Sequence, residues 1–332
     1  MSGGTERRCT AWKELIPIRN SSGTLDSGGS ASLSYERVVL VTAPYLDHMS
    51  IQRTAVVGAG TMGNGIAHVF ALHGHEVALI DVDADRLAQA TDTIAGNLDR
   101  QVNKDRIDAD AKAAALDRLS TTTDTAEGVD DVDLVVEAVP ESKELKATVF
   151  EDLDTHAPED ALLASNTSSI SITWIAAQTE RPEQVIGMHF FNPVPVMTLV
   201  EVVRGQRTSD ATFDSVAGLA EDLDKNPVEV EDYPGFVSNR VLMPMINEAI
   251  FCVMEGVADP DDIDTVMTLG MNHPMGPLTL ADFIGLDVCL HILEVLHDEL
   301  GDDKYRPCPL LRRKVTAGQL GRKTGEGFFT YD

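Results

Sequence analysis

RTAVVGAGTMGNGIAHVFAL, residues 53–72, decides the fold. Arg53 to Val57 is a short apolar, β-branched run and reads as a buried strand. It passes directly into Gly58-Ala59-Gly60-Thr61-Met62-Gly63, and the spacing predicts a helix from Asn64 to Leu72. G-x-G-x-x-G between a strand and a helix is a phosphate-binding turn. Gly58 allows the tight turn, Gly60 lets a pyrophosphate approach the backbone, and Gly63 lets helix pack on strand. The helix start offers free N–H groups and the positive end of the helix dipole. The other reading, a Gly-rich turn with no ligand, has to account for the carboxylate at the end of the next strand.

That second strand, Glu76 to Ile80, ends in Asp81, 18 residues after Gly63. This is where a dinucleotide fold places the carboxylate that takes the adenosine ribose hydroxyls. Asp81 would repel a 2′-phosphate, and Val82, Asp83 and Ala84 supply no arginine to bind one. The expected cofactor is therefore NAD rather than NADP.

The chain beyond this unit bounds the rest. Its 332 residues are long enough for two domains, and 43% hydrophobic with 24% charged residues is a globular composition. No apolar run approaches the ~20 residues that would span a bilayer. A net charge of −28 speaks against a nucleic-acid partner, because phosphate neutralisation needs clustered Lys and Arg. The acid is dispersed and Lys is scarce, 9 against 17 Arg, which suggests high internal salt. Cys9, Cys252, Cys289 and Cys308 form no Cys-x-x-Cys pair, so neither a zinc site nor a redox motif is signalled. A cytoplasmic location is the default expectation.

Residues 1–48 are rich in Ser, Gly and Thr, with a linker-like run from Ser21 to Ser34. Their five acidic and five basic residues balance, so the whole surplus of acid lies in 49–332. We expect residues 1–48 to be a disordered or mis-assigned extension, with Met49 as the biological start. Residues 49–232 then form a doubly wound, mainly parallel α/β domain of Rossmann type, and residues 233–332 an all-α domain.

Helical patterns run from Ala84 to about Asn103 and from Ala109 to Leu116, with a short strand possible at Leu119 to Thr122. Asp133 to Ala138 is a buried strand ending in a carboxylate, ahead of a helix from Lys143 to Leu153. Leu162 to Ala164 enters Ser165-Asn166-Thr167-Ser168-Ser169, a polar cluster that could cap a helix over Ile170 to Ala177. VIGMHFFNPVPVMTLVEVV, residues 185–203, holds two apolar strands around two prolines. His189 and Glu201 interrupt those strands twelve residues apart. They can be a satisfied core pair, or a base with its orienting carboxylate. After Pro234-Gly235-Phe236, helices are expected over Leu242 to Met254, Pro260 to Leu269 and Thr279 to Leu300, the last broken near Gly285. Their wide apolar faces predict a homodimer through this half.

From Ile51 to Tyr331 the chain resembles the short-chain L-3-hydroxyacyl-CoA dehydrogenases, including bacterial 3-hydroxybutyryl-CoA dehydrogenases. The resemblance rests on GAGTMGNGIA at 58–67, VVEAVPE at 135–141, SNTSSISIT at 165–173, GMHFFNPVPVMTLVEVV at 187–203, PGFVSNR at 234–240 and GRKTGEGFF at 321–329. It implies an NAD-dependent enzyme that oxidises a (S)-3-hydroxyacyl thioester of coenzyme A, or reduces the 3-oxo form. His189 would be the base, Glu201 its partner, Ser168 a substrate contact and Asn239 a holder of the acyl group. With the turn Gly58, Ala59, Gly60, Thr61, Met62, Gly63 and Asp81, the resemblance adds Glu141, Lys146, Asn192 and Lys323 to the dinucleotide site. Lys104 falls where the family places a lysine near the coenzyme A phosphates, although Asn97, Asp99, Arg100, Gln101 and Asn103 depart from the family's lysine-rich run. No metal is implied. The rival expectations are a gulonate-type dehydrogenase of a free hydroxy acid, a non-catalytic protein on the same fold, and one part of a larger fatty-acid oxidation enzyme.

Overall fold

Strands β1 (Arg53–Val57), β2 (Glu76–Ile80), β3 (Leu119–Thr122), β4 (Leu134–Glu137), β5 (Leu162–Ser165), β6 (Val185–Phe190), β7 (Leu199–Arg204) and β8 (Asn226–Glu231) form one sheet, in the order β3-β2-β1-β4-β5-β6-β7-β8. The computed structural model describes residues 51–331, so the expectations for residues 1–48 and Met49 lie outside the described residues. All neighbours pair in parallel except β6 and β7, which pair antiparallel. The doubly wound, mainly parallel sheet expected from the glycine turn is therefore present.

Helices cover both faces, because strands buried on both sides present apolar residues to each. Helices α1 (Thr61–Leu72), α2 (Ala84–Val102), α3 (Ala109–Asp117) and, far along the chain, α7 (Asp210–Asp222) lie on one face. There Ile66, Phe70, Ile94 and Leu219 pack on Val56, Val136 and Val202. Helices α4 (Thr125–Val129), α5 (Lys143–His156) and α6 (Ile172–Ala176) cover the other, through Phe150, Leu153 and Ile172 on Val135 and Leu163. Each such side chain contributes roughly 1.5–3 kcal/mol.

Two glycines are required by geometry. Gly58 has φ +103°, and a Cβ there would stand 2.7 Å from Ala138 O. A Cβ on Gly63 would fall 1.6 Å from Gly58 O. That close seating lets α1 start at Thr61, three residues before the expected Asn64. Likewise α6 starts at Ile172 rather than Ile170, since Thr167 Oγ1 takes the N–H groups of Ser169 and Ile170.

The expected boundary at 232/233 falls in the turn between β8 and α8 (Ser238–Glu255). After it come α9 (Pro260–Thr265), α10 (Pro277–Ile284), α11 (Leu286–Leu300) and α12 (Pro309–Thr316), packed through Met243, Ile250, Leu278, Leu293 and Leu311. Two expectations are corrected here. Helix α8 begins four residues before Leu242 and carries Pro244 within it, and the helix expected to reach Leu269 loses α geometry at Thr265 and continues as a π turn over Val266–Gly270. Buried Asp282 of α10 accepts the N–H groups of Phe328 and Phe329 and the hydroxyl of Tyr331, which fastens the aromatic tail to this core.

Candidate active site

The carboxyl ends of β4, β5 and β6 and the first turn of α1 open on one cavity of about 590 Å³, bounded on the far side by α8, α10 and α11. Ligands in open α/β sheets bind at such strand ends. Of the residues singled out in the sequence, Met62, Glu141, Ser168, His189, Asn192 and Asn239 line it. Its apolar wall comes from Leu242, Leu280, Phe283, Val288 and Ile292 of the helical half.

His189 and Glu201 face each other as a direct partner pair of the antiparallel β6–β7 ladder. His189 Nδ1 lies 2.8 Å from Glu201 Oε2. An ionised carboxylate accepts, so Nδ1 carries the hydrogen and Nε2 is left as the proton acceptor on the cavity side. The Phe191 and Phe236 rings flank the imidazole, with centroids 4.7 and 5.9 Å away. Burial acts to raise the Glu201 pKa, but the hydrogen bond and charge of His189 and two donors from Ser238 outweigh it and hold the carboxyl below its ordinary range. Ser238 was not anticipated; its only signal in the sequence is its place beside Asn239 at the start of a helix.

A second charged cluster supports the serine loop. Glu137, at the end of β4, is fully buried and accepts Lys146 Nζ at 2.6 and 2.8 Å, Ser165 Oγ at 2.6 Å and Val139 N at 2.7 Å. Glu141 Oε1 gathers Thr167 Oγ1 and the N–H and hydroxyl of both Ser169 and Ser168, the Ser168 hydroxyl by the longest contact, 3.4 Å. Burial raises the Glu141 pKa, and Lys146 with these donors more than reverses it. The loop so fixed presents Ser168 to the cavity, and Asn239 Nδ2 donates to Ser168 O at 3.0 Å. Lys146 itself does not line the cavity: it is 1% exposed and engaged by Glu137 and Glu141. Lys225, also unanticipated, donates to Val194 O and Met197 O, pinning the connection that carries Asn192.

The glycine turn fits a pyrophosphate. A Cβ at Gly60 would meet nothing within 4 Å, and α1 has no side-chain cap on its first turn. Asp81 Oδ2 accepts the Ala59 N–H at 2.8 Å, so the carboxylate stands at the turn itself. Val82, Asp83 and Ala84 hold no arginine, but the first turn of α2 brings Arg86 to 3.9 Å from Asp81 Oδ1. Ala59, Thr61 and Gly63 complete the turn. Lys323 does not itself line the cavity: it is exposed and paired with Asp287 at 2.6 Å, beside the lining Ile284 and Val288, and Lys104 is exposed in the turn after α2.

A family model for the 3-hydroxyacyl-CoA dehydrogenase NAD binding domain matches residues 53–233, and one for the C-terminal domain of that enzyme matches residues 235–331. The chain is 53% identical over 281 residues to 3-hydroxybutyryl-CoA dehydrogenase of Bradyrhizobium diazoefficiens, covering 85% of this chain and 96% of that one. It is 50% identical over 280 residues to the enzyme of the same name from Clostridioides difficile, covering 84% and 99%. The crystal structure of (S)-3-hydroxybutyryl-CoA dehydrogenase from Ralstonia eutropha matches with a TM-score of 0.83 at 48% identity, over 85% of this chain and 100% of that one.

Proposed function

The chain belongs to the 3-hydroxyacyl-CoA dehydrogenase family, and we propose that His189, paired with Glu201, is the base of its reaction. The protein is an NAD-dependent oxidoreductase that interconverts (S)-3-hydroxyacyl-CoA and 3-oxoacyl-CoA; the free-hydroxy-acid alternative is not favoured. The observation that carries the assignment of His189 is the 2.8 Å contact from Nδ1 to Glu201, made inside the cavity that Ser168 and Asn239 also line.

His189 Nε2 takes the proton of the C3 hydroxyl in oxidation and returns it in reduction. Glu201 fixes the tautomer and stabilises the imidazolium. Ser168 offers a hydroxyl to the substrate oxygen, and Asn239 steadies the Ser168 backbone. Bound at the glycine turn, with Asp81 at the ribose and Glu141 and Asn192 toward the nicotinamide end, NAD supplies the hydride acceptor. Lys146 acts through Glu141, and Lys323 and Lys104 are assigned to outer cofactor and coenzyme A contacts. Residues 49–232 serve as the cofactor domain and 233–332 as the substrate domain. The preferred substrate is a short acyl chain such as 3-hydroxybutyryl, in keeping with the names of the relatives and a cavity of about 590 Å³.

The test is NADH oxidation with acetoacetyl-CoA, set against longer 3-oxoacyl-CoA substrates, free acids and NADPH. Turnover with NADH and acetoacetyl-CoA is expected, and no turnover on any acyl-CoA would overturn the reading. The protein acts in the cytoplasm as a homodimer through its helical half, where Val241, Val257, Leu269 and Met271 expose apolar side chains. Light scattering should give twice the chain mass. The excess of acid calls for high salt, so activity and Tm should rise with added KCl.

A further inference from the structure

The helical half reaches the His189–Glu201 pair through Ser238, in the first turn of α8. The Ser238 N–H donates to Glu201 Oε1 at 2.9 Å, and its hydroxyl donates to Oε2, also at 2.9 Å. Oε2 is the same oxygen that accepts His189 Nδ1–H. Two side-chain donors therefore share one carboxylate oxygen. The pair is close to dry, with 10% and 3% side-chain exposure, so each donor acts at low dielectric.

We propose that Ser238 is a positioning residue that sets how readily the His189–Glu201 pair takes up the substrate proton. The inference rests on His189 being the base. A hydroxyl that donates to Oε2 draws charge from the atom that would stabilise an imidazolium. With Ser238 in place, His189 holds its extra proton less tightly and stays neutral to lower pH. Oxidation needs the neutral ring and reduction the protonated one, so Ser238 tilts the pair toward oxidation. The transferred proton passes from the C3 hydroxyl oxygen to His189 Nε2 as the C3 hydride leaves for NAD. Ser238 keeps its own proton throughout.

Charged groups on the surrounding elements are engaged elsewhere. Arg204 of β7 pairs with Glu229 of β8 and with Asp210. Arg240 of α8 stacks on the Tyr233 ring. Glu141, the other carboxylate at the cavity, is held by the serine loop and Lys146, and Asp287 of α11 pairs with Lys323.

The test is kcat/KM against pH for oxidation of 3-hydroxybutyryl-CoA by the wild type, Ser238→Ala, Ser238→Thr and His189→Gln. Ser238→Ala should move the acidic limb up by about 0.5–1 pH unit, the worth of one ordinary hydrogen bond. Ser238→Thr, which keeps the hydroxyl, should return it. A rate lowered equally at every pH, with the limb unmoved, would make Ser238 merely structural and overturn the proposal. If Ser238→Ala does not fold, Ser238→Gly removes the hydroxyl and keeps the N–H, and the same two outcomes apply. A limb that persists in His189→Gln would show that another group is the base, a failure of the underlying reading. A limb lost in His189→Gln but unmoved by Ser238→Ala or Ser238→Gly would sink the Ser238 proposal alone.

Discussion

Two buried pairs stand at strand ends beside the same cavity, and they differ in what is left over. Lys146 and Glu137 are 1% and 0% exposed, and the contacts of their charged atoms lie wholly inside the protein. His189 and Glu201 are also buried, but only one imidazole nitrogen is taken and the ring borders the cavity. The first pair is closed, and it fixes Glu141 and through it the serine loop. The second is open on one side, and a proton can enter there. The difference that matters is one of satisfaction. A buried pair with every valence used is architecture, whereas one with a free nitrogen toward a cavity can do chemistry.

The largest expected effect tests the open pair. His189→Gln should lower kcat by about 10²–10⁴-fold, the range of general acid–base catalysis, with NADH affinity by fluorescence titration close to that of the wild type. Collapse of NADH binding would make His189 architecture as well. For the closed pair the loss should fall on stability. Lys146→Met leaves Glu137 buried and unpaired and should cost about 3–5 kcal/mol in urea denaturation. The double variant Glu137→Met/Lys146→Met should recover much of that, and a double variant no better than the single would show that Ser165 and Val139 need the Glu137 charge.

His68 sharpens the comparison from a third direction, as a buried imidazole with no carboxylate hydrogen-bonded to it. Its Nε2 meets the Gln101 side chain at 2.9 Å. Burial first, then the charges of His73 and Lys225, push its pKa from 6.5 down to about 4. The unfolded chain takes up a proton as pH falls below 6.5 while the folded protein refuses it until about 4, so stability drops across that window. His68→Gln should remove about 2–3 kcal/mol of that acid sensitivity, read as the difference between the two Tm profiles. Parallel profiles would mean that His68 is charged in the fold. The smallest effect belongs to Glu141 and Glu201, whose folded pKa values lie below the ordinary 4.5. Their stabilisation is complete above 4.5 and lost as pH falls through the depressed values, so Glu141→Gln should flatten the Tm profile below pH 4.5 only.

Much of this was legible because periodicity and turn chemistry act locally. Arg53 to Gly63 announces strand, turn and helix within a dozen residues, and Asp81 comes at a readable spacing. Helix α7 was legible too, since Phe213, Val216, Leu219, Ala220 and Leu223 recur at helical spacing, but no motif drew attention to it. Partner choice across the fold was not legible. Nothing near Ser238 points to Glu201, 37 residues earlier, and nothing near Lys225 points to the carbonyls of Val194 and Met197. Lys146 shows the reverse. The family resemblance places it at the cofactor, and only packing reveals that Glu137 has claimed its charge.

The rung that joins His189 to Glu201 fixes the parity of the chain around it. Side chains alternate between the faces of a strand, so sliding β7 by one residue against β6 would set Val200 or Val202 opposite the imidazole. Residues 191–198 lie outside the ladder, so a residue inserted there spares the His189–Glu201 rung but disturbs the connection that Lys225 pins and that carries Asn192. A residue inserted between Leu199 and Glu201 turns the carboxylate to the other side of the sheet. Register in this ladder, and not only the identity of the two residues, therefore decides whether the imidazole meets a carboxylate or a valine.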